Sequence, residues 1–274
     1  MANHIQIKII TDNAQQQELL IAILSECGFD GFEEMDNCLD AYIPENIFDR
    51  SNLESLASDY HFSWSSLLID ERNWNAVWES NFSPVTVENF VGIRADFHAP
   101  INEVAYEIII TPKMSFGTGH HATTYIMMLQ MKDLNIKNKT VFDFGTGTGI
   151  LAILAEKLGA KSILAIDNDQ WSITNAAENI QKNNCSHIEL VLSDKPESAH
   201  KFDIILANIN KNIILENISI LTGQLEKKAS LLLSGLLAED ENDIVEACKF
   251  LNLNHIKTVQ KDKWICLLLT NCVS

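Results

Sequence analysis

Long apolar runs are missing from this chain, and no stretch reaches the ~18 uninterrupted apolar residues that a membrane-spanning helix needs. The opening MANHIQIKII has neither the basic start nor the extended apolar core of a secretion signal. Six cysteines (Cys27, Cys38, Cys185, Cys248, Cys266, Cys272) never fall into a C-x-x-C pair, which argues against a zinc framework or a disulfide scaffold. A cytoplasmic protein with reduced thiols is the expectation. Internal repeats and low-complexity tracts are absent too. Basic charge is scarce: 20 Lys and Arg face 37 Asp and Glu, for a formal charge of −17. Such a field repels nucleic acid and attracts cationic partners, although it also serves solubility alone. Neither a membrane nor a direct nucleic-acid substrate is expected.

What is present suffices for more than one domain: 274 residues, 46% of them hydrophobic. Ile5, Ile7 and Ile9 alternate as in a half-buried strand. AQQQELLIAILSE at 14–26 reads as a helix ended by Cys27-Gly28. Two short strands around 30–43 and a helix across ENIFDRSNLESLAS complete a small α+β domain at residues 1–60. Residues 61–80 read as a linker and candidate hinge, although HFSWSSLLI could also form a strand. In this segment Trp74 and Trp78 share one face of any helix and would pack it onto a domain. A third region, 81–274, opens with the candidate strands FVGIRADF and VAYEIII. From residue 139 the apolar strands TVFDF, SILAI, IELVL, FDIILA and SLLLSG alternate with helical stretches. HIKTVQ and WICLLLT close the chain as a hairpin. The class is α/β, a mostly parallel sheet with a C-terminal antiparallel hairpin.

FGTG occurs twice, at 116–119 and at 144–147. The second lies in VFDFGTGTGILAILAEKLGA, a strand, a glycine turn with Gly145 and Gly147, and a helix. The next strand ends in Asp167, 22 residues beyond Gly145. A glycine turn followed by an acid at the end of the next strand is how such folds hold a nucleoside, the carboxylate taking the ribose hydroxyls. The G-x-G-x-G spacing departs from the nicotinamide fingerprint G-x-G-x-x-G. Asp143, two residues before the first glycine, would oppose a pyrophosphate but suits an ammonium. S-adenosylmethionine, with its ammonium and sulfonium, therefore fits better than a nicotinamide dinucleotide, although Asp143 could instead bond nearby backbone amides. Asp169 suits the N-cap of the following helix. Asn208 ends the strand FDIILAN beside the expected cleft, where it could serve a substrate amine, support the cofactor or simply start a turn. His120 and His121, being adjacent, rarely face one ion, and no carboxylate or cysteine lies at ligand spacing, so no metal is expected. His121 is expected to bond backbone at a helix start.

PKMSFGTGHHATT, DFGTGTGILAI, AIDNDQWSITNAAENIQKNN and LANIN, in that order, resemble the PrmA family, bacterial methyltransferases of the eleventh protein of the large ribosomal subunit. W-x-x-x-W at 74–78 and KWICLLL also fit, and the likeness is weakest before residue 60. The resemblance implies a class I methyltransferase domain of Rossmann-like fold with S-adenosylmethionine as donor. It implies cofactor contacts from Thr124, Gly145, Asp167 and Asn208, and an N-terminal domain that recognises the basic ribosomal protein. Phe116, in the first loop, would help exclude water. Asn208 would orient the accepting amine, a lysine or N-terminal nitrogen. Departures from the family pattern are His120 for threonine, Ala122 for proline, Thr148 for serine and Asn210 for leucine. Methyltransferases of glutamine amides or nucleic-acid bases commonly carry N-P-P-Y or D-P-P-Y where this chain has Asn208-Ile209-Asn210. A nicotinamide-dependent oxidoreductase and an inactive binding module are the remaining rivals.

Overall fold

A computed structural model describes residues 4–11, 14–35, 37–69, 82–112 and 121–271. The tryptophan pair Trp74 and Trp78, Phe116 and His120 lie outside the described residues. The chain divides into two compact units, Met1–Val77 and Trp78–Ser274.

The first unit is built on strands β1 (His4–Ile10), β2 (Gly31–Met35), β3 (Cys38–Pro44) and β4 (Ser63–Ile69), in the order β2-β3-β1-β4. Every pairing is antiparallel. Helices α1 (Ala14–Glu26) and α2 (Arg50–Asp59) complete a β-α-β-β-α-β arrangement. The alternation at the N-terminus sets the core: Ile7 and Ile9 are fully buried with Leu39, Ala41, Leu20, Leu24 and Leu53, while Lys8 and Ile10 face outward. Gly28, at φ +91°, closes α1 as expected. The second helix starts later than the sequence suggested, because the Asp49 side chain accepts from the amides of Ser51 and Asn52 and fixes the start there. Residues 63–69, read from sequence as part of the linker, instead form the edge strand beside β1. SWSSLLI shows no clean alternation because at the sheet edge few of its side chains are buried, and Leu67 stays 63% exposed.

The second unit holds a seven-stranded sheet. Its strands are β8 (Thr140–Phe144), β9 (Ser162–Asp167), β10 (Ile188–Leu192), β11 (Phe202–Asn208), β12 (Leu225–Leu237), β13 (Leu253–Lys261) and β14 (Trp264–Asn271). The order is β10-β9-β8-β11-β12-β14-β13. Pairings from β10 to β12 are parallel, and β14 runs antiparallel to both of its neighbours. This is the mostly parallel sheet with a terminal hairpin expected from the sequence. A small sheet of β5 (Val85–Val87), β6 (Val91–Ala95) and β7 (Tyr106–Ile110) stands apart. The helices are α3 (Ala122–Met131), α4 (Ile150–Lys157), α5 (Gln170–Lys182), α6 (Lys211–Gly223) and α7 (Glu241–Phe250). One apolar layer joins α3, α4 and the small sheet through Met127, Ile153, Ile93 and Ile108. The other joins α6 and α7 through Ile214, Leu221 and Ile244. The strand order reverses between β8 and β11, and in such sheets ligands bind beyond the carboxyl ends at that switch point.

Candidate functional site

β8 is buried from Val141 to Phe144 and apolar there except for Asp143, and the chain then turns through Gly145–Gly149 into α4. The turn is tied to the end of β9. The amides of Gly145 and Thr146 both donate to the Ile166 carbonyl, at 3.0 and 2.9 Å. The amide of Gly147 donates to Asp167 Oδ2 at 2.8 Å. Asp167 Oδ1 accepts from the Asp169 amide at 3.0 Å. The acid proposed for the ribose thus also fixes the glycine turn, a task the sequence did not show. Asp169 caps α5 through the amides of Trp171 and Ser172, as expected.

Asp143 and Asn208 end up on neighbouring strands, since β8 pairs with β11 and Asp143 lies beside Leu206. Asp143 is 1% exposed. Its Oδ2 accepts the Thr146 hydroxyl at 2.6 Å, while Oδ1 makes no hydrogen bond among the described residues. Burial pushes this carboxyl up to about 7 against the Thr146 hydroxyl bond, the Asp167 charge adds to the rise, and the Ala152 backbone amide in the first turn of α4 also opposes it. Asn208 donates from Nδ2 to Thr124 Oγ1 at 3.3 Å; Thr124 is buried in the first turn of α3. Asn208 Oδ1 is buried and also makes no hydrogen bond among the described residues. A buried acceptor left unpaired costs ~1–3 kcal/mol. Two of them at adjacent strand ends suit a ligand that brings donors and positive charge.

The structure thus brings Thr124, Asp143, Gly145, Gly147, Asp167 and Asn208 together at the switch point. It also reveals what surrounds Asn208. Ile209 is wedged between two glycines: a Cβ on Gly145 would sit 2.4 Å from Ile209 Cγ2, and one on Gly235 would sit 2.1 Å from the Ile209 carbonyl oxygen. Gly235, at φ +82°, lies where the register of β12 against β14 shifts. A glycine inside the apolar run SLLLSGLL was the available signal, because in a strand it marks a bulge or a close backbone approach. Asn210 accepts from the Ile213 amide and caps α6. His121 caps α3, its side chain accepting from the Thr123 amide, as the sequence suggested. Its ring packs edge-on to Trp264 with centroids 4.8 Å apart, a contact that no sequence pattern indicated. Among the described residues no group of three or more His, Cys, Asp or Glu is placed to hold a metal, and no helix is long and apolar enough to cross a membrane.

A family model described as Ribosomal protein L11 methyltransferase (PrmA) matches residues 33–271. A ribosomal protein L11 methyltransferase of Porphyromonas gingivalis is 40% identical over 261 residues, covering 92% of this chain and 90% of that protein. One from Chlorobaculum parvum is 39% identical over 282 residues, covering 97% of this chain and 96% of its own length. The crystal structure of a ribosomal protein L11 methylase from Lactobacillus delbrueckii subsp. bulgaricus is similar with a TM-score of 0.65 at 31% identity. It spans 70% of this chain and 100% of that one.

Proposed function

The chain belongs to the ribosomal protein L11 methyltransferase family, and from that premise we propose how its residues divide the work. It is a methyltransferase that uses S-adenosylmethionine as donor and the ribosomal protein as acceptor. Gly145 and Gly147 form the floor of the donor site, and Asp167 takes the ribose hydroxyls with the lone pairs left by its two backbone bonds. Asp143, with its unpaired Oδ1, receives the ammonium of the methionine end. Thr124 and Asn208 border the reactive side, and Phe116 closes it against water.

S-adenosylmethionine supplies an electrophilic methyl group on a sulfonium. The protein must supply position and the right protonation state. In-line displacement needs the acceptor nitrogen about 3 Å from the methyl carbon and collinear with sulfur. A lysine of pKa ≈ 10.4 is neutral to only roughly 0.04% at pH 7, an equilibrium cost of about 5 kcal/mol. Desolvation near a positive charge favours the neutral amine, and the free Asn208 Oδ1 can accept from its N–H and turn the lone pair inward. No covalent nucleophile is needed. Lysine side chains and the N-terminal amine of a basic large-subunit protein are the proposed acceptors, in the cytoplasm. The first unit is the proposed recognition domain, and residues 70–80, the part of the 61–80 segment that follows β4, are the proposed hinge.

The observation that carries this reading is the pair of buried unpaired acceptors, Asp143 Oδ1 and Asn208 Oδ1, at the switch point. The test uses purified protein, isotope-labelled S-adenosylmethionine and ribosomal proteins from cells lacking this gene. Label is expected in one large-subunit protein, on amine nitrogens located by mass spectrometry. Cofactor binding without any such label would retain the donor site and discard the acceptor assignment.

A further inference from the structure

Helix α5 carries asparagines at 175 and 179, and Asn183 follows as its C-cap. Spacing of four puts all three on one face. Asparagine is a poor residue inside a helix, because its amide competes for backbone groups. Here the amides serve other backbone. Asn183 meets both polar groups of Ile109: its Oδ1 accepts from the Ile109 amide at 3.0 Å, and its Nδ2 donates to the Ile109 carbonyl at 2.6 Å. Asn179 Oδ1 accepts from the Thr111 amide at 2.7 Å. Residues 109 and 111 present their polar groups on the same edge of an extended chain, and β7 ends its sheet with that edge not covered by another strand among the described residues. The asparagines thus act as a substitute strand along the segment that leads into the first glycine loop.

Asn179 also reaches the second loop. Its Nδ2 donates to the Thr148 carbonyl at 2.9 Å, inside the turn that follows Gly147, and to Asn175 Oδ1 at 3.3 Å. The side chain is fully buried, so neither bond is exchanged for water. α5 also packs directly on this turn, since a Cβ on Gly149 would sit 3.3 Å from the Ala176 methyl. One amide therefore holds the root of the first glycine loop and the turn of the second.

We propose that Asn179 is a positioning residue that couples the two glycine loops, so that a cofactor seated on the second loop steadies the anchor of the first. The proposal rests on the donor seat assigned above. Asn183 bonds Ile109 and, through Nδ2 at 2.8 Å, the Asn179 carbonyl, but its side chain is not bonded to the second loop among the described residues, and it serves as the control. Asn179→Asp keeps an acceptor for Thr111 but turns an oxygen on the Thr148 carbonyl.

The experiment combines amide hydrogen exchange with calorimetry, using S-adenosylhomocysteine as the probe. In the parent protein, the probe is expected to slow exchange at Ile109 and Thr111. Asn179→Asp is expected to lose that linkage and to bind the probe roughly tenfold more weakly, the scale of one buried hydrogen bond. Asn183→Ala is expected to lower Tm while keeping the dissociation constant within about twofold, since a bond on the far side of the coupling should change stability alone. A parent that fails to bind the probe would overturn the donor seat itself. A parent that binds without slowing exchange at Thr111 would overturn the coupling, whether or not any variant folds. So would an Asn183→Ala loss of affinity equal to that of Asn179→Asp, since the effect would then be general packing.

Discussion

Burial places the Asp143 carboxyl near 7 instead of its ordinary 3.8, so its protonation couples stability to binding. The folded state holds this proton more tightly than the unfolded chain does. The stabilisation is therefore complete below about pH 4 and is lost as pH rises through about 7. For this group the free protein should lose stability across that window, on the order of a few kcal/mol. Asp143→Asn stays neutral throughout, so its Tm should fall less between pH 5 and pH 8 than that of the parent. Parallel Tm profiles would mean that the carboxyl is not buried as described. Ligand binding should run the other way. An ammonium favours the ionised carboxylate, so affinity for S-adenosylmethionine should rise with pH through neutrality, with proton release measurable by calorimetry in buffers of different ionisation enthalpy. Asp143→Asn should weaken that affinity by about tenfold or more, the loss expected for a charge-assisted bond. Asn208→Ala makes a different demand. It should cut turnover by roughly 10²-fold, the scale seen when a positioned polar group is removed from a reacting centre, and near-normal turnover would remove Asn208 from the mechanism.

The Asn208–Asn210 turn depends on elements on either side of it. Gly145 and Gly235 both make room for Ile209, but against different atoms. A methyl at 145 meets the Ile209 side chain at 2.4 Å, whereas one at 235 meets its carbonyl oxygen at 2.1 Å. Both positions also have positive φ, +75° and +82°, which costs an alanine roughly 1–2 kcal/mol whatever the space. Either alanine should lower kcat/KM by at least about tenfold through displacement of Asn208. Adding Ile209→Ala should recover much of the loss in Gly145→Ala and none in Gly235→Ala, because trimming a side chain cannot move a carbonyl. Equal recovery in both double variants would mean that the Ile209 side chain, not its carbonyl, limits both positions. The same contact explains what sequence could tell. The β8–α4–β9–α5 run was legible because its strands are short and apolar, its helices carry caps such as Asp169, and its glycines sit at one turn. Gly235 was visible only as a glycine inside an apolar strand; its partner Ile209 is distant in sequence and meets it only after β11 pairs with β12. β4 was uncertain because its leucines remain exposed, and β5, three residues long, offered no period to read. The second bond of Asp167, to Gly147, arises from strand adjacency, which motif spacing does not encode.

Charge is distributed unevenly over the whole chain: residues 1–69 hold twelve Asp and Glu against two Lys and Arg. That segment thus supplies more than half of the net −17. A basic substrate would be drawn to such a unit over the Debye length, ~30 Å at 0.01 M salt and ~8 Å at 0.15 M. Steering of this kind acts on encounter and is screened by salt, whereas interactions inside a buried site are screened much less. The kcat/KM for the ribosomal protein should therefore fall by roughly tenfold from 0.01 to 0.3 M salt, within the range of steered associations. Over the same range kcat and the KM for S-adenosylmethionine should change little. Asp30, Glu33 and Glu45 are exposed acids of the first unit. Replacing them together by Asn, Gln and Gln should flatten the salt dependence for the protein substrate while leaving donor affinity as it was. If the triple variant keeps the full salt slope, attraction does not come from this unit. If neither protein shows a slope, the acidic balance serves solubility, and substrate choice rests on contacts that salt does not reach.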